Sequence, residues 1–557
     1  MKKLLVILLS LLLILTFTAC GGSSGGETED EGGSGDSAFQ TAADEVIVAT
    51  GSQFTTLDPA LNTETVNEYI TYHIYSGLFR FDENGEAVPE LCDTYETSED
   101  GLTWTFTLKD GLVWSDGDPI TAKDFEYSYL RVLGYGADAA YNVYDIASNV
   151  VGAQEYNERA LEAGNDFDIT TEDHSGVGIT AIDDKTLEIK LINPIPYFPR
   201  MLTSMCWIPV KEGTPVHDSL WSMEPGYACS GPYMLSDFNQ NEKCVMEKNP
   251  NYFDADNVTM QNITFMVMPD ADSQAAAYKS GEVDLCLDVS MDATSSYVGT
   301  DSLWVRVPTS AYFLSINSGS TGPEWAHDVN VRKALAMAIN KEAVVDILGG
   351  AEYYPILNGY IPYGFPDVDG NDFRENADND GYELKYDPDA AKELLAGAGY
   401  DESNPLKIKY KYSSNGIHED VATALMSCWK DVGIEVEPVA VEPGVFYDQL
   451  DAGDYEISRY GYSVNTSPIK FLELWTRGVQ ITAAVDDPEY DDMVTEVKAR
   501  LSEDEFTKGC HELEDYLVEE NVYLIPMFTY ADPTLINPGL NDVWYSGNEI
   551  YLAHCSK

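Results

Sequence analysis

The chain has 557 residues, with 32 lysines and arginines against 95 aspartates and glutamates, and a formal net charge of −63 at pH 7. This length exceeds what one hydrophobic core usually serves, so two or more lobes are expected. The charge repels phosphate backbones and anionic lipid headgroups, which disfavours nucleic acid and the bare membrane surface as partners. Nine cysteines are too few for a disulfide-stapled scaffold.

The N-terminus predicts the compartment. Met1-Lys2-Lys3 precedes an apolar run, Leu4–Leu15, that is short for a membrane span, and small residues follow it. Because Cys20 comes directly after them, the pattern resembles a bacterial lipoprotein signal, with residues 1–19 removed and Cys20 acylated; an ordinary signal peptide is the alternative. We expect a lipid-anchored protein on the outer face of a Gram-positive-type membrane, or in the periplasm of a Gram-negative cell.

Residues 20–44 are mainly glycine, serine and acidic residues, which predicts a flexible tether. From Glu45 onward, strands and helices alternate as in an α/β protein. Apolar or alternating patterns predict strands over Val46–Ala49, Leu102–Leu108 and Thr186–Leu191. Asp387-Pro388 predicts a helix start, and the apolar spacing over Val331–Ile347 predicts one packed helix.

The sequence carries no recognisable enzyme or metal motif. The seven histidines are scattered, and neither a phosphate-binding loop nor a nucleophile–base pair can be found, so no catalytic residue, cofactor or metal site is expected. The best calcium candidate, Asp367-x-Asp369-x-Asn371, has Asp372 where an EF-hand loop needs glycine, which favours an acidic surface loop. Eight cysteines remain besides Cys20, and their pairing cannot be read from spacing.

Four separated parts of the chain carry further motifs. They are Pro89-Glu90-Leu91 with Ser98–Val132 (SEDGLTWTFTLKDGLVWSDGDPITAKDFEYSYLRV), Ser230–Phe238 with Glu247–Phe253, Ala275–Leu285 with Val331–Val345 and Tyr386–Tyr400, and Trp429–Pro438 with Ile525–Tyr530. Together they span nearly the whole mature chain and resemble the extracellular solute-binding proteins of family 5, the peptide- and nickel-binding components of ABC importers. Within the first motif, Trp104 and Trp114 are predicted to be core residues.

The resemblance implies a periplasmic-binding-protein-like clamp of α/β class, in which helices flank mixed sheets and an accessory domain packs on one of two lobes. Lobe I is expected over residues 45–75, 201–305 and 521–557, the accessory domain over 76–200, and lobe II over 306–520. The chain would cross between the lobes near 303–312 and 518–530. Ligand would lie in the cleft, and the closed monomer would dock on the permease subunits.

The resemblance also implies site residues. In peptide-binding members, a stretch of the form R-x-G-W-x-x-D-Y lines the cleft; its Asp neutralises the ligand's α-ammonium group, and its Arg meets a ligand carboxylate. Here Arg459 and Gly461 match, Tyr462 replaces the Trp, Ser463 follows, and Asn465 stands where the Asp is expected. The candidate ligand-binding residues are these five and Tyr141, which lies in a segment, YGADAAYNVY, that resembles the family's cleft-lining tyrosine region.

Asn465 matters because a buried ammonium group needs a charged partner. Three explanations stay open: another carboxylate binds the ammonium, the alignment of this loop is shifted, or the ligand has no free α-amine.

The main hypothesis is a binding lipoprotein that captures extracellular oligopeptides or dipeptides for an ABC permease and is not an enzyme. The alternative is a protein of the same fold that binds a nickel chelate, a glycan, or a blocked or cyclic peptide. An extracellular hydrolase and a surface adhesin or receptor without transport are the other classes considered.

Overall fold

The computed structural model describes residues 39–216, 218, 220–382, 384–477, 485–547 and 549–557. The predicted leader, residues 1–19, and the predicted lipidation site, Cys20, lie outside the described residues. Within the described ranges, no helix combines the length and the apolar character that a bilayer crossing requires.

Strands and helices alternate along most of the described chain. The strands are β1 (Glu45–Thr50), β2 (Phe79–Phe81), β3 (Ala87–Pro89), β4 (Cys92–Thr97), β5 (Thr103–Leu108), β6 (Ile179–Ala181), β7 (Thr186–Lys190), β8 (Tyr233–Asn239), β9 (Lys243–Lys248), β10 (Asn262–Val267), β11 (Leu285–Cys286), β12 (Leu303–Arg306), β13 (Ser310–Ile316), β14 (Lys407–Ser413), β15 (Glu435–Val441), β16 (Ile457–Ser463), β17 (Leu524–Phe528), β18 (Asp532–Ile536), β19 (Trp544–Ser546) and β20 (Glu549–Tyr551). The α-helices are α1 (Thr65–Ile74), α2 (Ala122–Gly134), α3 (Ala140–Ala147), α4 (Ala153–Ala163), α5 (Phe198–Met201), α6 (Ala271–Ser280), α7 (Met291–Thr294), α8 (Val329–Met337), α9 (Lys341–Leu348), α10 (Phe373–Asp380), α11 (Pro388–Gly397), α12 (His418–Asp431), α13 (Pro443–Asp451), α14 (Ile469–Leu472), α15 (Pro488–Lys498) and α16 (Glu503–Asp515). Short 3₁₀ turns cover Gly136–Ala139, Gly164–Asp166, Met205–Trp207, Trp221–Met223, Ala255–Asn257, Ser295–Tyr297, Glu324–His327 and Glu473–Trp475, and a π-turn covers Tyr516–Glu520.

Two large sheets and one smaller sheet organise the chain. The first has seven strands in the order β12-β18-β11-β1-β10-β9-β8, with β1 parallel to both β10 and β11. The second has five strands in the order β15-β14-β16-β13-β17, with β14 parallel to both β15 and β16. The third is the four-stranded antiparallel sheet β4-β5-β7-β6. Helices flank these mixed sheets, and the α/β class predicted from the sequence is confirmed.

The chain passes between the two large sheets twice. It leaves the seven-stranded sheet after Arg306 and enters the five-stranded sheet at Ser310, and it returns between Phe528 and Asp532. The two passages touch, because the hydroxyl oxygens of Ser310 and Thr529 lie 3.0 Å apart. Strand β17 therefore belongs to the five-stranded sheet, although the sequence-based boundary of lobe II stops at residue 520.

A buried ion pair joins the four-stranded sheet's helix α2 to the loop that follows β1. Arg131 Nη1 and Nη2 donate to the two carboxylate oxygens of Asp58 at 2.9 and 2.6 Å, and both side chains are at most 1 % exposed. The Tyr135 hydroxyl and the Trp221 indole N–H also donate to Asp58, at 2.7 and 2.9 Å. Burial alone would raise the pKa of Asp58, but Arg131 and these hydrogen bonds lower it.

Several predicted elements are confirmed. Strands β1, β5 and β7 match their predicted ranges to within one residue at each end. Helix α11 begins after Asp387, whose carboxylate accepts from the backbone N–H groups of residues 389 and 390. Trp104 and Trp114 are buried, at 5 % and 0 % exposure, in agreement with the prediction that they are core residues.

Two expectations are corrected. The single helix expected over Val331–Ile347 is broken, because Asn340 caps α9 by accepting from the Ala343 N–H at 3.0 Å. Part of the expected tether is also attached to the protein. Gln40 N donates to the Gly281 carbonyl at 2.8 Å, and Phe39 packs on Tyr278, so chain contacts begin before Glu45.

Candidate functional site

The predicted segment 458–468 starts in β16, where the two large sheets meet. β16 pairs with β13, and its last residue, Ser463, lies opposite Ser310, the first residue after the passage between the sheets. Ser463 Oγ donates to the Thr309 carbonyl in that passage at 3.1 Å. The segment therefore lies beside the connection between the two sheets.

Arg459 is buried among neutral groups. Its guanidinium, 7 % exposed, donates to the Tyr447 hydroxyl at 3.2 Å and to the Ser413 hydroxyl, and it lies over the Phe446 ring at 4.5 Å. Ser413 is the last residue of β14, the parallel neighbour of β16. The two strands therefore bring the Ser413 and Arg459 side chains to the same edge of the sheet. Within the described residues, no carboxylate forms an ion pair with Arg459, and its Nε–H has no acceptor.

His418, which the sequence did not single out, belongs to the same cluster. Burial and the positive charge of Arg459 lower the pKa of His418 to about 4, so the ring is neutral at pH 7. Its Nδ1 atom is buried and has no hydrogen-bond partner among the residues that the structure describes. The helix start that carries His418 follows β14 in the chain, but no spacing motif marks it. A neutral histidine and a buried arginine together offer hydrogen bonds and charge to an anionic group.

Gly461 and Tyr462 continue β16 beyond Arg459. A Cβ atom added at Gly461 would meet only the Ala311 carbonyl, 4.0 Å away, so the glycine leaves the strand backbone open to close approach. The Tyr462 ring packs edge-on against Phe471 at 5.1 Å between centroids and is half-buried. These positions can offer backbone groups and one aromatic surface to an extended ligand.

Asn465 makes contacts within the protein. Its Nδ2 donates to the Gly547 carbonyl in the hairpin β19–β20, and its own carbonyl accepts from Arg200 Nε at 2.9 Å. Arg200 also donates to the Gly364 carbonyl at 3.0 Å and to the Gly85 carbonyl. The side chain that replaces the expected aspartate therefore ties the segment to the C-terminal hairpin. Tyr141 lies in α3, and its side chain is outside what the structure describes.

The seven-stranded sheet contributes a cavity of about 490 Å³ at the carboxyl ends of β1 and β11. Its lining includes Thr50, Glu64, Tyr69, Asp288, Arg306 and Asp532. Asp288 accepts from the Gly51 N–H at 2.7 Å, and Arg306 lies 4.0 Å from Asp532. Ligands of open α/β sheets bind at such carboxyl edges, so this cavity is a second candidate site in addition to the Arg459 cluster.

The acidic side chains of the calcium candidate form hydrogen bonds within the protein. Asn376 Nδ2 donates to the carboxylates of Asp367 and Asp369 at 2.9 Å each, and Asp372 caps α10. Across the described ranges, no group of three or more histidine, cysteine or acidic side chains is arranged to hold a metal ion. The eight cysteines after Cys20 are free thiols, and all except Cys428 are buried.

Three comparisons show which known proteins the chain is similar to. The family model described as bacterial extracellular solute-binding proteins, family 5 Middle, matches residues 86–482. The oligopeptide-binding protein OppA of Bacillus subtilis (strain 168) is 26% identical over 510 residues, which cover 89% of each chain.

Two solved structures are similar throughout. The unliganded open form of the periplasmic murein tripeptide-binding protein MppA has a TM-score of 0.79 at 23% identity and covers 93% of this chain and 98% of its own. The Haemophilus influenzae OppA complex with the peptide RPPGFSPFR has a TM-score of 0.63 at 24% identity, with coverage of 93% and 99%. These structures share the fold described above.

Proposed function

Because the chain belongs to the bacterial extracellular solute-binding proteins of family 5, we propose that it captures extracellular peptides and delivers them to an ABC permease. The observation that carries this proposal is the Arg459 cluster. A buried guanidinium without a carboxylate partner costs several kcal/mol, and a ligand carboxylate would offset that cost. Peptides bring such a group, and relatives of this length are oligopeptide- and dipeptide-binding proteins.

We assign the carboxyl terminus of the peptide to Arg459, with His418 and Tyr447 beside it. The guanidinium fork suits a carboxylate because two parallel N–H groups meet two oxygens. Gly461, Tyr462 and Ser463 would lie along the peptide backbone, in the manner of strand addition. Asn465 is assigned to holding the segment in place, and Tyr141 remains a candidate from the sequence resemblance alone.

The proposed architecture is a clamp of two lobes built on the two large sheets, with the four-stranded sheet as the accessory domain. The passages at residues 307–309 and 529–531 are the natural hinge, since they link β12 to β13 and β17 to β18 across the two large sheets. A peptide that contacts both lobes would favour the closed monomer, and only its differential contacts with that state shift the equilibrium. No chemical step on the peptide is proposed.

The direct test is native mass spectrometry of the full chain, extracted from membranes without denaturation. We expect bound masses that resolve into peptides on unfolding, and added pentapeptides that are recovered uncut after incubation. Release of sugars or metal chelates in place of peptides, or recovery of cleaved peptides, would refute peptide capture.

We also propose that Cys20 is acylated and anchors the chain outside the cytoplasmic membrane. Two acyl chains hold a protein firmly because each buried methylene adds about 0.8 kcal/mol. Replacing Cys20 with alanine should move the protein from the membrane fraction to the soluble fraction and remove the acyl mass, while the Cys428→Ala control stays in the membrane. A Cys20→Ala chain that remains in the membrane and still carries the acyl mass would contradict the anchor.

A further inference from the structure

Arg200, the third residue of helix α5, is a buried cation that lies among neutral groups. The residue is 5 % exposed. Within the described ranges, its guanidinium donates only to main-chain carbonyl groups, and no aspartate or glutamate forms an ion pair with it. Burial lowers the pKa of Arg200 to about 10, so the side chain keeps its charge at pH 7.

The guanidinium of Arg200 joins three segments that are far apart in the chain. Its Nε donates to the Asn465 carbonyl at 2.9 Å, its Nη2 donates to the Gly364 carbonyl at 3.0 Å, and its Nη1 donates to the Gly85 carbonyl. Gly85 lies in the turn between β2 and β3, Gly364 precedes α10, and Asn465 follows β16. We call these four residues the Arg200 junction. The planar fork of an arginine can hold three such acceptors at once, whereas a lysine offers a single ammonium centre.

Aromatic rings pack around this guanidinium. Its Cζ atom lies 4.7 Å from the centre of the Phe81 ring and 5.2 Å from the centre of the Phe365 ring. Phe81 ends β2, next to the turn that contains Gly85, and Phe365 directly follows Gly364. Two of the three segments therefore contribute both a carbonyl group and an aromatic ring, and each ring attracts the buried charge.

The Arg200 junction lies against the first passage between the two large sheets. Gly364 has a φ of +99°, and a Cβ atom at this position would lie only 2.7 Å from Thr309 Cγ2, so the close approach requires glycine. The Val464 N–H donates to the Thr309 carbonyl at 3.2 Å, and the Ser463 hydroxyl donates to the same oxygen at 3.1 Å. Two of the three segments therefore contact residue 309, within the proposed hinge.

The part of the chain that carries Arg200 is held at two sides. Its helix α2 is joined to the loop after β1 by the buried pair of Arg131 and Asp58. At the other side, the Tyr197 ring packs against the Phe506 ring of α16, with centroids 4.8 Å apart. Because Tyr197 is only three residues before Arg200, the Arg200 junction extends a contact that already reaches the elements after β16.

We infer that Arg200 is a positioning residue of the proposed peptide site, acting from the accessory part of the chain. The inference rests on the proposed peptide capture. Residues 461–463 end the strand that leads into Asn465, so holding the Asn465 carbonyl fixes the edge along which an extended peptide would lie. A segment that is ordered before binding costs less free energy to bind than a segment that the ligand must order.

Loss of the Arg200 junction should weaken the binding of peptide acids and peptide amides alike, because the edge of the strand contacts the whole extended ligand. Arg200→Met keeps an unbranched side chain and removes the fork, so the affinity of the folded variant is expected to fall about tenfold. Arg200→Lys keeps the charge but cannot hold three carbonyls, so its affinity should be intermediate. A residue that binds the ligand carboxylate would instead discriminate acids from amides.

The test combines isothermal titration with hydrogen exchange of the full chain. Titration uses matched pentapeptide acids and amides, and exchange is followed by mass spectrometry at residues 463–466 without ligand. Arg332→Met is the matched control, because Arg332 is 4 % exposed and also donates to main-chain carbonyls, those of Ala326 and Asn521, at 2.6 and 2.7 Å. Both variants should lower the urea midpoint, but only Arg200→Met should speed exchange at residues 463–466 and weaken peptide binding.

The possible results are distinguishable. If folded Arg200→Met matches the wild type in peptide affinity and in exchange at residues 463–466, Arg200 only stabilises the fold, the inference is refuted and peptide capture stands. If the wild type binds neither acids nor amides, peptide capture fails and the role of Arg200 at a peptide site fails with it. Should Arg200→Met not fold, Arg200→Lys decides the question, because wild-type affinity together with wild-type exchange in that variant contradicts the inference.

Discussion

Replacing Arg459 with alanine is expected to weaken binding of peptides that carry a free carboxyl terminus by at least about 100-fold, which corresponds to about 3 kcal/mol. The reason is that Arg459 supplies the positive charge at the edge of β14 and β16, where its described neighbours are neutral. Isothermal titration with matched peptide acids and amides measures the effect. The amides should bind the variant and the wild type alike.

Lys409→Ala is the matched control for this variant. Lys409 lies in β14 of the same sheet but is exposed, so its loss should leave the affinity for peptide acids unchanged. Arg459→Lys keeps the charge and loses the fork geometry, so it should restore only part of the affinity. If Arg459→Ala weakens acids and amides equally, the residue is a structural element of the sheet and has no role in carboxylate recognition.

Replacing Asp58 with asparagine is expected to destabilise the folded chain by about 3–5 kcal/mol, because it leaves Arg131 buried without its charged partner. Tyr135 and Trp221 lose their carboxylate acceptor in the same step. The pKa of Asp58 is lowered in the folded state, so the stabilisation is present above the unfolded value of 3.8 and is lost as the pH falls through the folded value. Urea unfolding followed by tryptophan fluorescence measures the change.

The exposed pair of Lys407 and Glu435, 3.1 Å apart, provides the control for the Asp58 variant. Its side chains are 74% and 59% exposed, so Glu435→Gln should leave the urea midpoint unchanged. An equal response of the two variants would mean that the buried pair contributes no more than a surface contact. Peptide affinity of the folded Asp58→Asn chain should be retained, since Arg131, Tyr135 and Trp221, which donate to Asp58, do not belong to the Arg459 cluster.

Sequence patterns correctly predicted the strands and helix starts that depend on residues close together in the chain. The strands at Val46 and Thr103 alternate because one face is buried, and Asp387-Pro388 marks a helix start through its own cap hydrogen bonds. The pattern failed at Val331–Ile347, where the apolar spacing continues through Asn340. The Asn340 side chain caps the following turn instead. This local hydrogen bond outweighs the apolar periodicity.

The site was only partly predictable. Arg459 came from resemblance to the family, but its isolation from carboxylates depends on which side chains surround the end of β14. His418 carries no spacing motif, because Arg459, which acts on it, comes from a later part of the chain.

Small-angle X-ray scattering of the full chain, with and without a pentapeptide that it retains, tests the central claim most directly. We expect a smaller radius of gyration in the presence of the peptide, because its contacts with both large sheets draw the two sheets together. The peptide should be recovered intact afterwards. Identical scattering profiles at saturating peptide, or a peptide recovered in fragments, would contradict the account.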